Sequence, residues 1–468
     1  MKKIFLTVVA LMVTAFFVAT EFAQAADVTF SGQLRTRYEV NEQGSNTKND
    51  FNNISDASDI VQARVRLNAN VNINDSTSAF IQMQSTRQWA AGQGAALGGG
   101  TGSANASFEA SDNDTSVGLH QAYFTLKNFA TLPVDLKLGR QQIVLDGHRL
   151  YGHTGWTTGA QTHDALRLTH KHDNMAISFF YIAASEDGVS TQGSASAHDE
   201  IDNYVLHFNY KGLLGGNFSA IYSALFDPCG NNASCVITQP NDIYTIGFRQ
   251  KGQFYGIDYR GEYYYQWGDA DQDADALVGG TATGLGVDRD AFMFGVRLGK
   301  TFKNVMMKPS LTIWYDYLSG TEDSDLTKSN PEYKSFNTLF DTGHKFYGLM
   351  DLYLGVGGGG QANGTGGLGL QDIAIKAKLS PAPGWTFKAD YHWFSTVESA
   401  SANVRNGIGY GGNALGNELD LTLINKYNAN TNIVFGFSNY TTTATFRDLR
   451  NVLGDGANWG YVMFDVKF

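Results

Sequence analysis

The sequence predicts an all-β protein that folds as a closed antiparallel transmembrane β-barrel of about 18 strands. Polar and apolar residues alternate with a period of two along most of the chain, as in strands with one apolar and one wet face. The connections between these segments are short and long in turn, and the chain ends on an aromatic residue, Phe468. Short periplasmic turns and long extracellular loops are typical of outer-membrane barrels.

The composition excludes several other classes of protein. The 468 residues include 53 Gly and only 7 Pro, and 34 basic residues are outnumbered by 45 acidic ones, giving a formal net charge of −11. Neither a coiled coil nor a collagen-like chain has this composition. A polyanion would be repelled by the average surface, so we expect no nucleic acid among the partners.

The first 25 residues have the pattern of a signal peptide. Lys2 and Lys3 precede an apolar stretch over residues 4–20, and Ala23-Gln24-Ala25 has the A-x-A form of a signal peptidase site. We therefore expect a signal peptide at residues 1–25 and a single outer-membrane barrel domain at residues 26–468. No later apolar run reaches about 18 residues, the length that would span a bilayer as a helix.

Alternation is clearest over residues 61–71, where every odd position is apolar and every even position is Gln, Arg or Asn. Eighteen such segments occur along the chain, which is an even number. The connections between them alternate in length, and this alternation is independent of the pattern that identifies the strands. The longest connection, between residues 318 and 371, has roughly 50 residues. The predicted strands cover residues 27–40, 57–71, 77–90, 117–128, 133–145, 162–171, 174–185, 200–211, 215–226, 241–250, 253–268, 288–301, 307–318, 371–380, 385–395, 416–426, 431–440 and 459–468.

A soluble β-sandwich or a solenoid is the alternative fold, because the strands of a sandwich also have one apolar face. The signal peptide, the terminal Phe468 and a set of aromatic residues favour a lipid-facing barrel instead. A barrel of about 18 strands is too wide for its own side chains to fill, so it encloses water unless loops plug it. The predicted aromatic girdle residues are Trp89, Tyr123, Tyr181, Tyr263, Tyr265, Tyr315, Tyr317, Trp393 and Tyr461.

The two cysteines, Cys229 and Cys235, are separated by five residues, which is not the two-residue spacing of a redox or zinc motif. In an oxidising periplasm we interpret them as one disulfide in an outer loop, with two free thiols as the alternative.

The predicted disulfide can be tested directly on the intact exported chain. Reduction should add the mass of two hydrogen atoms, because one S–S bond is converted to two thiols. Mass spectrometry before and after reduction measures this difference. Thiol labelling at Cys229 or Cys235 without reductant would contradict the bond.

We predict no cofactor for this chain. Acidic residues concentrate in the long loops, where solvation and mutual repulsion explain them, and a loosely bound Ca²⁺ or a bridge to lipopolysaccharide phosphates is the alternative. Histidines between His120 and His172 fall at both ends of the predicted barrel and are interpreted as rim or girdle residues. The acidic loop residues are Glu186, Asp187, Asp199, Glu200, Asp269, Asp271, Asp273, Asp275, Glu322, Asp323 and Asp325.

Arginines concentrate on the wet face of the first two predicted strands. Arg35 and Arg37 share this face on the first strand, and Arg64 and Arg66 share it on the second. Their guanidinium groups should converge on one patch of the inner wall, either to select anions or to brace the barrel by pairing with acids such as Glu39. Other inward-facing basic candidates include Arg167, Arg249, Arg260 and Arg297.

Several motifs occur in the order typical of one family of barrels. The chain resembles the alginate export (AlgE-like) porin family from about residue 27 to its end. The motifs that carry this resemblance are Leu138-Gly139-Arg140-Gln141, His148-Arg149-Leu150-Tyr151-Gly152 with Trp156 and Asp164, Gly343-His344-Lys345-Phe346-Tyr347-Gly348-Leu349-Met350-Asp351, Gly369-Leu370-Gln371-Asp372, Tyr391-His392-Trp393-Phe394, and Leu415-Gly416-Asn417-Glu418-Leu419-Asp420-Leu421-Thr422-Leu423.

The resemblance implies an outer-membrane barrel of 18 strands, located in a Gram-negative bacterium, whose prototype passes an anionic polyuronate. At the motif positions, the residues that could serve such a role here are Arg140, Arg149, Lys345 and Asp351. The other motif residues are interpreted as architectural, since Gly, Trp and Tyr at turns and rims are explained by packing.

The sequence thus favours a porin or export channel for anionic or sugar-like solutes, possibly an acidic polysaccharide such as alginate. Its expected surroundings are outer-membrane lipid and lipopolysaccharide. We do not expect an enzyme, because no nucleophile motif is visible. A structural barrel that sheathes an exported protein partner, such as a multihaem electron carrier or a fibre subunit, is the alternative function.

Overall fold

The computed structural model describes residues 26–42, 58–89, 117–185, 201–227, 240–271, 286–354, 364–399, 412–450 and 452–468. The predicted signal peptide and both cysteines lie outside these residues, so the leader and the disulfide stay predictions. The strands are β1 (Asp27–Asn41), β2 (Ser58–Asn72), β3 (Thr77–Gln88), β4 (Gly118–Leu126), β5 (Asp135–Gln141), β6 (His163–His172), β7 (Met175–Ser185), β8 (Ile201–Lys211), β9 (Gly216–Phe226), β10 (Ile243–Phe254), β11 (Ile257–Asp269), β12 (Asp288–Thr301), β13 (Ser310–Leu318), β14 (Glu332–Tyr333), β15 (Leu370–Leu379), β16 (Trp385–Ser395), β17 (Ala414–Lys426), β18 (Thr431–Thr442) and β19 (Gly456–Lys467).

Eighteen of these strands form one closed antiparallel barrel. Each pairs with its neighbours along the chain, and β1 pairs with both β2 and β19, which closes the sheet. The exception is the two-residue β14, which lies parallel to β12 within the long β13–β15 connection. The predicted strand count, the antiparallel pairing and the alternation of short and long connections are confirmed.

Among the described residues, two short α-helices, α1 (Asp323–Leu326) and α2 (Ala444–Arg450), lie in the long connections. In the described part of the chain, no helix combines the length and the apolar character needed to cross a bilayer.

The two faces of the strands differ as the alternation predicted. On β1 and β2, Leu34 and Val65 are 46% and 40% exposed on the outer face, whereas the intervening Arg35 and Arg64 are 6% and 4% exposed. In a water-soluble protein, aliphatic side chains are buried and charged side chains are exposed, and here the pattern is reversed. This reversal is expected when the outer face contacts lipid and the inner face lines a polar lumen.

The predicted girdle is correct at several positions and wrong at Tyr461. Trp89, Tyr263 and Trp393 are exposed on the outer face. Tyr461 is buried and shares the inner face of β19 with Trp459. It faces inward because the ring of Trp156, from a loop inside the barrel, packs edge-on against it with centroids 5.0 Å apart.

The turn between β10 and β11 also differs from the prediction, which placed it at Lys251 and Gly252. The strands continue past these residues, and the turn is formed by Tyr255 and Gly256, with φ of 48° and 74°. Two successive positive φ angles match the twist of a tight hairpin, which explains why the chain reverses there. Lys251 therefore belongs to a strand.

Two long connections fold into the lumen and pair with each other. Tyr151, between β5 and β6, forms a parallel bridge with Phe340, between β13 and β15. The Phe340 amide donates to the Leu150 carbonyl at 2.9 Å, and the Gly152 amide donates to the Phe340 carbonyl at 2.8 Å. We call residues 142–162 and 319–354 the plug. Its buried apolar side chains include Tyr151, Phe336, Phe346, Tyr347 and Tyr353.

Candidate functional site: a plugged basic lumen

The first element of the site is a row of arginines that holds the backbone of the plug. Arg35 donates to the carbonyls of Gly155, Trp156 and Thr157 at 2.7–3.0 Å. Arg64 donates to the carbonyls of Gly155, Thr157 and Thr158 at 3.1–3.3 Å. We call these two arginines, together with Arg37, the carbonyl clamp.

Arg37 joins the clamp through a carbonyl and a ring. It donates to the Trp156 carbonyl at 2.9 Å, and its guanidinium carbon lies 4.0 Å from the centroid of the Trp156 ring. It also forms a buried ion pair with Glu39 at 2.7 Å. Trp156 in turn stacks on His344 with centroids 4.2 Å apart, so the clamp holds both halves of the plug.

Arg66, the fourth arginine of this patch, makes different contacts. It donates to Gln84 at 2.7 Å and lies 3.0 Å from His120 Nε2. Gln84 then donates to the Gly159 carbonyl at 2.8 Å. The sequence correctly predicts that the four arginines share one patch of wall, but it does not predict that three of them grip main-chain oxygens.

The second element is a buried ionic network around Arg149, which is 1% exposed. Its guanidinium donates to Glu262 at 2.9 Å, to Asp316 at 2.8 Å and to the Tyr347 hydroxyl at 2.7 Å. Burial lowers the pKa of Arg149, but Asp316, Tyr347 and Glu262 outweigh it and hold that pKa well above its usual value. This charged side chain therefore fastens the plug to β11 and β13.

Three more arginines share the same two carboxylates. Arg297 donates to Asp316 at 3.2 Å, while Arg249 and Arg260 lie 3.5 and 3.7 Å from Glu262 oxygens. The network has four guanidinium groups for two carboxylates, so positive charge is in excess. Arg297 Nε and Nη1 are buried without a hydrogen-bond partner among the described residues.

A third element, on β17, binds amides of the plug with carboxylates. Glu418 accepts from the Met350 amide at 2.8 Å, and Asp420 accepts from the Leu349 amide at 3.3 Å. Both side chains are almost fully buried. The wall thus offers cations to carbonyls on one side and anions to amides on another, which satisfies backbone groups that would otherwise be buried unpaired.

Three cavities bordered by described residues lie in the lumen beside the plug, with volumes of about 590, 660 and 300 Å³. The first borders Gly32 and Lys467, near the chain ends, and the second borders Gly216 and Gly252, near the short turns. They therefore lie toward the short-turn end of the barrel, which faces the periplasm in outer-membrane barrels.

Basic side chains dominate the borders of these cavities. Lys345 borders both the first and the second cavity, and its ammonium donates to the Gly147 carbonyl at 3.2 Å. Burial lowers the pKa of Lys345, and Arg260, Arg249 and Arg149 lower it further. Burial and the neighbouring Lys345 likewise lower the pKa of His148 to about 4, so this imidazole stays neutral at pH 7.

Two other predicted pore residues, Arg167 and Arg140, lie outside the carbonyl clamp and the Arg149 network. Arg167 borders the third cavity and donates to Thr169 at 3.0 Å. Arg140 lies opposite Asp164 in the β5–β6 register and pairs with that exposed carboxylate at 2.8 Å. It borders none of the three cavities.

Sequence reasoning missed Lys251 and Lys467, which border the cavities. Lys251 was assigned to a turn, and its spacing of two from Arg249 is the signal that could have placed it on the same wall.

The acidic loops are only partly described. Asp325 pairs with Lys328 at 2.6 Å and Lys334 at 2.8 Å, so lysines neutralise it. Among the residues that the structure describes, no group of three or more His, Cys, Asp or Glu side chains is arranged to hold a metal ion. Asp273, Asp275, Glu186, Asp187, Asp199 and Glu200 lie outside those residues.

Comparison with known proteins gives the family. A family model described as Alginate export matches residues 26–455, which is most of the chain. The chain belongs to the alginate export family. No curated protein matches it significantly.

Solved structures share the fold of this family member at low sequence identity. OccAB1 of Acinetobacter baumannii has a TM-score of 0.56 at 12% identity, covering 96% of this chain and 98% of its own. The BenF-like porin of Pseudomonas fluorescens Pf-5 has a TM-score of 0.54 at 11% identity, with 96% and 100% covered. OccK8 (OprE) of Pseudomonas aeruginosa has a TM-score of 0.53 at 10% identity, with 94% and 98% covered. With the closed barrel, these findings identify an outer-membrane porin or export channel of a Gram-negative bacterium.

Proposed function

We propose that this channel conducts anionic solutes, and acidic saccharides in particular, through its arginine-containing lumen. The observation that carries the proposal is the charge around the three cavities: ten basic side chains border them against two acidic ones. The basic residues are Arg64, Arg66, Arg167, Lys171, Arg249, Lys251, Arg260, Arg297, Lys345 and Lys467, and the acidic residues are Asp146 and Asp258.

This concentration of cations contrasts with the protein as a whole, whose formal net charge is −11. A cleft lined by one sign of charge raises the local concentration of the opposite ion, and reduced water content strengthens the attraction. Arginine is suited to carboxylates because its planar fork can form two parallel hydrogen bonds. Arg249, Arg260 and Arg297 border the second cavity together.

The polar side chains around these cations suit a saccharide. Asn68, Gln82 and Gln142 border the first cavity. Amide side chains can both donate to and accept from the hydroxyl groups of a sugar. The family description, Alginate export, supports an acidic polysaccharide such as alginate as one solute.

We infer a solute channel rather than an enzyme or a sheath around an exported protein. Buried polar groups of the plug hold it to the wall, as the Arg149 guanidinium and the Met350 amide show. The plug also occupies the lumen that a sheathed partner would need.

Removing three cavity cations tests the proposal. We expect R249Q/R260Q/R297Q to lower the anion-to-cation permeability ratio several-fold, because three positive charges leave the second cavity. Reversal potentials across a salt gradient in planar bilayers measure this ratio. The variant should first be checked for an intact barrel by its heat-dependent mobility on a gel.

The matched control is K300Q/K303Q/K308Q, which removes three exposed lysines from the short-turn end without altering any of the three cavities. Its permeability ratio should stay near that of the wild type. A wild-type channel without anion preference, or an equal loss in both variants, would refute the proposed function.

A further inference from the structure

The carbonyl clamp holds an uncharged stretch of the plug. Residues 155–159 read Gly-Trp-Thr-Thr-Gly, and all five successive carbonyls accept hydrogen bonds from wall side chains. Arg35 and Arg64 therefore donate to neutral carbonyl oxygens of the plug rather than to carboxylates. These hydrogen bonds are strengthened by the charged donor, but a neutral oxygen does not neutralise the guanidinium charge as a carboxylate would.

Positive charge is also in excess within the clamp. Arg35 and Arg64 lie directly opposite each other in the β1–β2 register. Glu39 is engaged by Arg37. Arg64 Nε is buried without a hydrogen-bond partner among the described residues. An anion brought to this point would relieve the repulsion between the two neighbouring guanidinium groups.

The first cavity gives an anion a route to the clamp. It has a volume of about 590 Å³, and its border includes Arg64, Gly155 and Trp156. A solute entering from the short-turn end can therefore reach the same guanidinium group that holds the plug.

We propose that the carbonyl clamp is a latch that a carboxylate-bearing solute opens by taking Arg35 and Arg64 away from the plug carbonyls. This inference rests on the proposed function and adds to it that the solute itself releases the plug. The solute binds the open state more tightly, because only there are both guanidinium groups free for its carboxylates. That difference in affinity is what a ligand needs to shift a two-state equilibrium.

A cross-link provides the first test. Thr158 Oγ1 donates to Gln62 Oε1 at 2.5 Å, so the cysteines of Q62C/T158C, made with C229S/C235S, can be bridged by a short bis-methanethiosulfonate reagent that ties the plug to β2. We expect tetragalacturonate to raise the single-channel conductance of C229S/C235S several-fold, whereas uncharged maltotetraose should not. The cross-linked channel should not respond, and dithiothreitol should restore the response.

A charge substitution provides the second test and does not depend on disulfide formation. R35Q/R64Q should raise the resting conductance without any solute, because Gln cannot span the same carbonyls. The control K303Q/K308Q removes two exposed lysines at the β12–β13 turn and should keep the resting conductance of the wild type.

The latch is overturned if tetragalacturonate leaves the conductance unchanged or lowers it, or if the cross-linked and reduced channels respond alike. An unchanged resting conductance in R35Q/R64Q would also overturn it. In each case the reversal potential of the wild type still reports anion preference, so loss of the latch is distinguishable from loss of the proposed function.

Discussion

Replacing Arg149 with methionine should release the plug from the barrel wall. Glu262 and Asp316 would lose a buried cation that contacts both of them at 2.8–2.9 Å. Removing one partner of a buried ion pair typically costs about 3–5 kcal/mol. Arg297, Arg249 and Arg260 remain near the two carboxylates, but they belong to the barrel strands and cannot replace Arg149 as the link between plug and wall. Hydrogen exchange at the Gly152 and Phe340 amides, which join the two halves of the plug, should accelerate by about two to four orders of magnitude.

The control for R149M is R140M, which breaks the Arg140–Asp164 pair on the barrel wall. The Asp164 side chain is 58% exposed, so solvent already screens this pair. Exposed pairs contribute about 0–1 kcal/mol, and exchange at the same two amides should hardly change. Equal exchange rates in R149M and the wild type would show that the network does not hold the plug.

Replacing Gly348 with alanine should displace residues 348–350, which we call the tip of the β13–β15 connection. Gly348 has a φ of +84°, and an added Cβ would collide with the Glu418 carboxylate. That carboxylate accepts the Met350 amide, so the collision removes the hydrogen bond that fixes the tip. We expect faster hydrogen exchange at Leu349 and Met350 and a higher resting conductance.

Gly212 gives a control for the backbone strain alone. It has a φ of +106°, and an added Cβ meets no described atom within 4 Å. G212A therefore carries the left-handed strain of about 1–2 kcal/mol without a collision. If G348A and G212A leave the exchange of Leu349 and Met350 equally unchanged, the Glu418 contact does not position the tip.

The barrel was predictable from the sequence because its signal is local. Alternation along β1 and β2 determines which side chains face inward. Each strand of the barrel pairs with the next strand along the chain, so only neighbouring segments have to be matched. This is why the shared wall of Arg35 and Arg64 is confirmed by a direct pairing in the register. The prediction of a turn at Lys251 and Gly252 is wrong, because a Lys-Gly pair is compatible with a strand and the chain reverses at Tyr255 and Gly256.

The plug was not predictable in the same way. Residues 142–162 carry no period of two, and their partners are far along the chain: Arg149 and Asp316 are 167 positions apart. The family resemblance singles out Arg149 and Lys345 as candidate residues. It does not predict where they lie in the barrel. Their positions inside the lumen result from contacts between the two halves of the plug and the barrel strands. No local sequence pattern encodes such contacts.

The carbonyl clamp has a consequence for how the plug can vary. Arg35 and Arg64 contact main-chain oxygens, which every amino acid carries, so these contacts do not specify the side chains at Thr157 and Thr158. A substitution at the exposed Thr157 can alter the surface of the plug while the wall keeps its hold on the segment. A plug held this way can change its exposed side chains without losing its attachment to the barrel.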